Sequence, residues 1–168
     1  MELETVMRPK KEKQFEKIYS EHKDAVFGIC VMYLRDYQLA EDAAQETFIR
    51  VLKKLSSLKN EEKVKAWITS VTINVCRDKL RGKTRVEIPS DNFPQSSKSD
   101  GDTDIKLSLS DAIAKLSPEL REVVILFYYQ NFNQAEISKM LKIPRTTVAY
   151  RIRKAKEQLK EYLKEDLR

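Results

Sequence analysis

Glycine and proline are scarce in this sequence, since its 168 residues include only 3 glycines and 5 prolines. Alanine, leucine, glutamate, lysine and glutamine, which all favour helices, are plentiful. The composition therefore predicts an all-α chain. The length suits one ordinary domain or two small ones, and a hydrophobic content of 41% is enough to build a core.

Histidine and cysteine are also rare. The chain has 1 histidine, His22, and 2 cysteines, Cys30 and Cys76, which lie in separate apolar stretches without a C-x-x-C spacing. Metal centres and disulfide frameworks need more of these residues, so we expect neither. The sequence also lacks a nucleophile elbow and a glycine-rich phosphate loop. We therefore expect no enzymatic activity, no cofactor and no small-molecule ligand.

Long apolar segments are missing as well. No hydrophobic run approaches the ~20 residues that cross a membrane as a helix. The first residues, MELETVMRPKKEKQ, are polar and charged, and so they do not resemble a signal peptide. These features lead us to expect a cytoplasmic protein with reduced cysteines.

One segment interrupts the helical pattern. Residues 86–108, VEIPSDNFPQSSKSDGDTDIKLS, contain two prolines, and five acids against two lysines give them a net charge of −3. Such a composition is typical of a flexible linker. We therefore predict two small helical domains, 1–85 and 109–168, joined by this linker. The predicted helices are 12–34, 37–55 and 62–81 in the first domain, and 109–116, 118–130, 134–141 and 144–164 in the second.

The end of the chain has the pattern of a helix-turn-helix motif. Asn133, with Glu136 three residues later, resembles a capping box at the start of NQAEISKML. A tight connection at Lys142-Ile143 leads to a second helix that begins near Pro144. In such motifs the second helix enters the DNA major groove, and its outward face meets bases and phosphates.

The second helix of this motif is strongly basic. Residues 142–160 carry seven basic residues against one acid, a net charge of +6, so charge and groove-facing geometry coincide. The alternative is a terminal amphipathic helix whose basic face is simply solvated. Our candidate contacts to duplex DNA are Arg145, Thr146, Thr147, Tyr150, Arg151, Arg153 and Lys154.

A second basic helix lies in the first domain. Residues 63–85 also carry seven basic residues against one acid. At helical spacing an aromatic, an amide and two arginines share one flank, which suits single-stranded nucleic acid because rings stack on bases and arginines hold phosphates. The alternative for the tryptophan is ordinary packing in the hydrophobic core. The flank consists of Trp67, Ser70, Asn74, Arg77 and Arg81.

The helix that precedes these two basic segments is acidic in its first part. From residue 36 to residue 47 there are four acids and no base. Asp42, Gln45 and Glu46 lie on its outward face together with Ile49, an apolar residue in a polar surrounding. An acidic face with an apolar centre on a basic protein indicates a protein partner rather than nucleic acid. The alternative is an ordinary solvated helix.

Four segments together resemble a known family. They are AEDAAQETFIRVLKKL, AWITSVTINVCRDKLR, LSPELREVVILFYYQNFNQAEIS and IPRTTVAYRIRKAKEQL, in this order. The chain resembles the extracytoplasmic-function sigma factors of bacterial RNA polymerase, and the resemblance covers nearly everything outside the linker and the first residues.

The resemblance implies a function for each surface. Asp42, Gln45 and Glu46 match the motif that contacts the clamp helices of core RNA polymerase. The helix around 74–81 and the loop before it, 56–62, would face the melted minus-ten element of a promoter. The helix-turn-helix would read the duplex minus-thirty-five element. The family also implies an anti-sigma partner, often membrane-anchored, that releases the sigma factor under envelope stress.

The recognition helix departs from the family pattern at two outward positions. Family members usually read P-x-G-T-V-x-S-R, whereas this chain has Thr146 in place of the glycine and Tyr150 in place of the serine. Both changes bear on which bases are preferred. The rival hypothesis is a one-component helix-turn-helix regulator, which would need a dimerisation face or a ligand pocket and would leave the acidic face unexplained.

Overall fold

The computed structural model describes residues 9–84 and 102–166, and all regular structure in these ranges is helical. This confirms the all-α prediction. The first range forms a three-helix unit, here called the N-terminal unit, and the second forms the C-terminal unit. The α-helices are α1 (Pro9–Leu34), α2 (Tyr37–Lys54), α3 (Val64–Thr84), α4 (Asp102–Lys115), α5 (Pro118–Val124), α6 (Gln134–Leu141) and α7 (Arg145–Asp166).

Several helix ends follow local capping signals. Asp36 caps α2, since its carboxylate accepts a hydrogen bond from the Leu39 amide at 3.0 Å. The predicted capping box is confirmed: the Glu136 amide donates to the Asn133 side chain at 2.8 Å, and the Asn133 amide donates to the Glu136 carboxylate at 3.1 Å. At the other end of α6, Lys142 adopts a left-handed conformation (φ 56°) that turns the chain into α7.

The N-terminal unit is built around side chains from all three of its helices. Val26, Ile29, Val51, Ile68 and Val75 are each at most 2% exposed. Burial of each such side chain stabilises the fold by roughly 1.5–3 kcal/mol relative to an exposed position. Because these residues fix the inward faces of α2 and α3, they also decide which side chains of those helices point outward.

The C-terminal unit packs α4, α5 and α6 against the long helix α7. Leu116, Leu120, Val124 and Ala155 belong to one buried cluster of this unit. Val148, on the apolar side of α7, is fully buried. The opposite side of α7 is therefore left facing outward.

The two units pack directly against each other. Leu126 and Phe132 of the C-terminal unit lie in the same hydrophobic cluster as Ile29 and Ile68 of the N-terminal unit. Met32 of α1 also packs against the α4–α5–α7 cluster. The described part of the chain therefore has a continuous hydrophobic interior that crosses from one unit to the other.

Helix α4 begins earlier than predicted. It starts at Asp102, so residues 102–108, assigned to the linker from their composition, are helical. The apolar spacing of Ile105, Leu109 and Ile113 continues the helical period upstream, and acidic residues suit a helix N-terminus. The remainder of the predicted linker, together with the ends of the chain, lies outside the described residues.

The segment predicted as one helix, 118–130, is not an α-helix throughout. α5 ends at Val124 and continues as a π-helical turn, Ile125–Tyr129. The Gln130 amide reaches back to the Ile125 carbonyl at 2.9 Å, and Asn131 then turns the chain with φ 60°. The wider turn was not predictable from an apolar run that looks helical throughout.

Candidate protein and nucleic-acid interfaces

The outward side of α2 carries the predicted protein-contact residues. Asp42 and Gln45 are exposed, Glu46 is partly exposed, and Ile49 is 46% exposed. The Arg50 guanidinium holds Glu46 at 3.2 Å, which keeps this carboxylate on the surface of the helix. Asp42, Gln45, Glu46 and Ile49 are called the α2 face below.

An aromatic groove adjoins the α2 face. It has a volume of ≈ 680 Å³ and lies between α1 and α2. Tyr19 meets Phe48 edge-on with ring centroids 4.8 Å apart, and Phe27 meets Tyr37 in the same way at 5.4 Å. The sequence interpretation missed these aromatic residues. Their signal is weak, because Tyr19 and Tyr37 come from separate helices that only the fold brings together.

The predicted flank of α3 divides into exposed and engaged residues. Asn74 is exposed and Ser70 is partly buried. The Arg81 side chain is 76% exposed and pairs with Asp78 at 2.7 Å. Trp67 is partly buried and packs against the hydrophobic core, as the alternative interpretation of this residue had it.

Arg77 points from this flank into the C-terminal unit. Its Nε lies 2.5 Å from Glu122 Oε1, and its second guanidinium nitrogen lies 2.7 Å from Oε2. The same carboxylate accepts a hydrogen bond from the Tyr33 hydroxyl at 2.7 Å. These contacts with Glu122 raise the pKa of Arg77, while burial and the adjacent carboxylate raise the pKa of Tyr33.

The outward side of α7 groups an aromatic ring with two cations. Arg145 and Thr146 are exposed at the start of the helix, and Tyr150 is 49% exposed. The Arg153 guanidinium lies 5.7 Å from the centre of the Tyr150 ring, and the Lys154 ammonium lies 5.6 Å from it. Tyr150, Arg153 and Lys154 are called the α7 cluster below.

Two other residues assigned to this surface are turned partly inward. Thr147 is partly buried. The Arg151 side chain is 20% exposed, and it points toward Glu119 of α5 at 3.6 Å. Both residues lie on the border between the inward stripe and the outward face, where helical spacing alone leaves the direction open.

Neither a metal-binding cluster nor a membrane-spanning helix is found among the described residues. Within 9–84 and 102–166, no group of three or more histidine, cysteine, aspartate or glutamate side chains is arranged to hold a metal ion. None of the helices described there is both long and apolar enough to cross a membrane.

Comparison with known families divides the chain in two. Residues 18–86 match the model of Sigma-70 region 2, which covers α2, α3 and most of α1. Residues 106–159 match the model of Sigma-70 region 4, which includes the helix-turn-helix. Together the two matches cover most of the chain.

Known sigma factors are similar to this chain over most of its length. The chain is 29% identical to the ECF RNA polymerase sigma factor SigW of Bacillus subtilis, with 90% of this chain and 89% of SigW aligned. It is 26% identical to the RNA polymerase sigma factor CarQ of Myxococcus xanthus, with 90% of each chain aligned.

Two solved structures share the fold. One is the sigma factor RpoE of Bartonella quintana in complex with the anti-sigma factor NepR, with a TM-score of 0.76, 22% identity, and 90% of this chain and 98% of that chain covered. The other is CnrH in complex with the cytosolic domain of CnrY, with a TM-score of 0.71, 20% identity, and 92% and 90% covered. From the two family matches, the relatives and the shared fold, we conclude that this chain belongs to the extracytoplasmic-function sigma factors of RNA polymerase.

Proposed function

We propose that this sigma factor divides its work among three surfaces. The α2 face binds core RNA polymerase, the flank of α3 holds the melted minus-ten strand, and the outward face of α7 reads the minus-thirty-five element as duplex DNA. The division follows charge, because the α2 face has two carboxylates and no cation, whereas α3 and α7 are basic.

The observation that carries the proposal is the exposed isoleucine on the α2 face. Ile49 is 46% exposed one turn after Glu46, although Val51 on the inward side of the same helix is fully buried. A single exposed apolar residue is common on protein surfaces, but Ile49 also lines the aromatic groove beside the α2 face. A protein interface combines such an apolar centre with a polar rim. An acidic surface would repel DNA, so the partner of this face is a protein.

The α7 cluster supports base reading rather than general attraction. Its arginine can make paired hydrogen bonds to a guanine edge, and the tyrosine ring can contact a thymine methyl group. Arg151 is turned toward Glu119, so it is better placed to pair with that carboxylate than to read bases. Thr146 and Tyr150 replace the family's usual residues, so we propose that the preferred minus-thirty-five sequence differs from that of members with glycine and serine.

The direct test is transcription in vitro. Purified chain is combined with sigma-free core polymerase and a fragmented genomic library, and the start sites are mapped. We expect starts that share an upstream element and depend on the chain. Absence of chain-dependent starts, with a known sigma factor active in the same mixture, would contradict the proposal.

We further propose control by an anti-sigma factor. Support comes from the two structural neighbours, each of which was solved with a partner: RpoE with the anti-sigma factor NepR, and CnrH with the cytosolic domain of CnrY. We propose a membrane-anchored partner, with the sigma factor itself in the cytoplasm beside RNA polymerase. In this role the chain is an initiation factor and not an enzyme.

The rival hypothesis of a one-component regulator makes a different prediction. A regulator should bind its promoter specifically without polymerase, whereas we expect this chain to need core polymerase. Gel-shift measurements on a mapped promoter, with and without core polymerase, separate the two hypotheses.

A further inference from the structure

The contact between the two units contains an ion pair whose carboxylate is buried and whose guanidinium is partly exposed. Glu122 of α5 is 3% exposed, and both of its carboxylate oxygens accept hydrogen bonds from Arg77 of α3. Tyr33 of α1 donates to the same carboxylate. A buried carboxylate is costly unless a cation and hydrogen-bond donors compensate it, and here all of these come from the N-terminal unit.

Polar contacts flank this ion pair along the interface. Lys65 Nζ donates to the Gln130 carbonyl at 2.9 Å, and the Arg35 guanidinium donates to the Ser110 hydroxyl at 2.8 Å. Arg121, next to Glu122, donates to the Tyr33 carbonyl. The two units are therefore matched in charge and hydrogen bonding at several points, in addition to sharing a hydrophobic cluster.

A glycine allows the units to approach closely. Gly28 lies within α1, where glycine weakens a helix. A Cβ atom at this position would lie 2.6 Å from the Tyr129 hydroxyl of the C-terminal unit. The space that Gly28 leaves is thus taken by a side chain of the other unit.

This interface engages a residue to which we have assigned another ligand. Arg77 belongs to the flank of α3 proposed above to hold the minus-ten strand, and this inference rests on that assignment. A carboxylate offers a guanidinium the same paired oxygens as a phosphate does. While Glu122 holds Arg77 with both oxygens, the guanidinium is not available to a DNA strand.

We propose that the C-terminal unit covers Arg77 on the α3 flank of its own chain, with Glu122 in the place of nucleic acid, so that the free protein is closed. The closed form must open before Arg77 reaches single-stranded DNA. The occupant of this surface is thus a segment of the same chain, the α5 helix and the π-helical turn after it.

The first test measures the distance between the units in the free chain. Spin labels are placed on Lys59→Cys and Lys139→Cys, since both lysines are exposed, and the native cysteines are 0% exposed and should stay unlabelled. We expect one narrow distance distribution for the otherwise wild-type chain. Glu122→Arg places a cation against Arg77 and should give a broad distribution with longer distances.

Two further variants make this test specific. The charge-exchanged chain, Arg77→Glu with Glu122→Arg, should recover the narrow distribution. Glu119→Gln removes a carboxylate from the same helix, but at a side chain that is 71% exposed, and should leave the distribution unchanged. Circular dichroism reports folding, and Glu122→Gln serves in place of Glu122→Arg if the latter loses helix content.

The distance distributions show whether the free chain is closed. A broad distribution for the wild-type chain, or an unchanged narrow one for Glu122→Arg, would overturn the proposal. A charge-exchanged chain that stays broad would overturn the assignment of Arg77 as the residue that Glu122 holds.

The second test asks whether closure masks Arg77. Binding of a fluorescent single-stranded oligonucleotide with a minus-ten sequence is measured by anisotropy. If the open form is about one twentieth of the wild-type population and Glu122→Gln is open throughout, this variant should bind about twentyfold more tightly than the wild type. Glu119→Gln should bind like the wild type, and the gain should disappear when Glu122→Gln is combined with Arg77→Ala.

The outcomes separate this inference from the proposed function. Equal binding by Glu122→Gln and the wild type would overturn the masking role. A gain that survives Arg77→Ala would also overturn it, because the effect would then be general charge. If no variant bound the oligonucleotide, the minus-ten assignment would fail with the masking role, while the distance measurement would still report the closed form.

Discussion

Ile49→Ala is the substitution that best separates interface from fold. Ile49 is 46% exposed on the α2 face, whereas Val51, two residues later on the same helix, is fully buried. Ile49→Ala should therefore change the binding of core polymerase, and Val51→Ala should change the stability of the fold. The two variants each remove a few methyl or methylene groups from one helix.

The size of each effect follows from burial. Complete burial of an isoleucine side chain is worth roughly 1.5–3 kcal/mol, and about half of that remains to be gained when Ile49 docks. Loss of most of this gain in Ile49→Ala corresponds to about 1 kcal/mol, or roughly fivefold in the dissociation constant. Its effect on folding should stay within about 0.5 kcal/mol.

Val51→Ala should show the reverse pattern. Removing two methyl groups from a closed core costs roughly 2 kcal/mol through lost transfer energy and a residual cavity. For a chain of this size that lowers the melting temperature by about 5 °C. At a temperature where the variant is still folded, its affinity for core polymerase should match the wild type.

The assay combines thermal unfolding by circular dichroism with titration of labelled chain by core polymerase. Asp42→Lys provides a second change on the α2 face, and it should weaken binding more than Ile49→Ala does because it reverses a charge. If Ile49→Ala bound core polymerase like the wild type, or if it lowered the melting temperature as much as Val51→Ala, our assignment of this face would be wrong.

Three other predictions concern nucleic acid and pH. Asn74→Ala should preserve closed promoter complexes and reduce open ones, which are measured by the permanganate reactivity of unpaired thymines. Equal losses of closed and open complexes would indicate generic phosphate contacts. Tyr150→Ser should change the base preference of transcription across a library of minus-thirty-five variants. Arg153→Ala should reduce transcription least on templates that are already mutated in the minus-thirty-five element. If either variant lowered transcription from every template by the same factor, α7 would be a basic clamp and not a reader of bases. Burial raises the folded-state pKa of Tyr33. The folded-state pKa of Cys76 is also raised, by a hydrogen bond with a neighbouring cysteine thiol and by burial. The unfolded chain releases these protons above the ordinary pKa values of about 8.5 for cysteine and 10 for tyrosine. Stability to urea should therefore be nearly constant between about pH 7 and 8 and should fall as the pH rises further; an unchanged stability at pH 10 would contradict this.

Much of the local structure could be predicted from the sequence because its signals are local. Apolar residues at helical spacing predicted the helices, and the capping box at Asn133 predicted where α6 begins. The outward direction of Ile49 and Tyr150 followed from the same periodicity. The roles of these outward residues remain predictions, because a periodic pattern shows which side is exposed and not what binds there.

Some local features were not predictable even so. The start of α4 at Asp102 was hidden by a polar composition that is typical of linkers. The π-helical turn at Ile125–Tyr129 differs from an α-helix by one residue in its hydrogen bonding, and an apolar run does not distinguish the two.

The sequence by itself determined the helices, their caps, and the charge and polarity of each helix face, because these depend on residues a few positions apart. Only the tertiary structure decided which faces meet. Arg77 and Glu122 are 45 residues apart in the chain, and on periodicity alone Arg77 belongs with Asn74 and Arg81 on an open flank. Its partner depends on how the two units pack, and a helical period carries no information about a surface that arrives from the other unit.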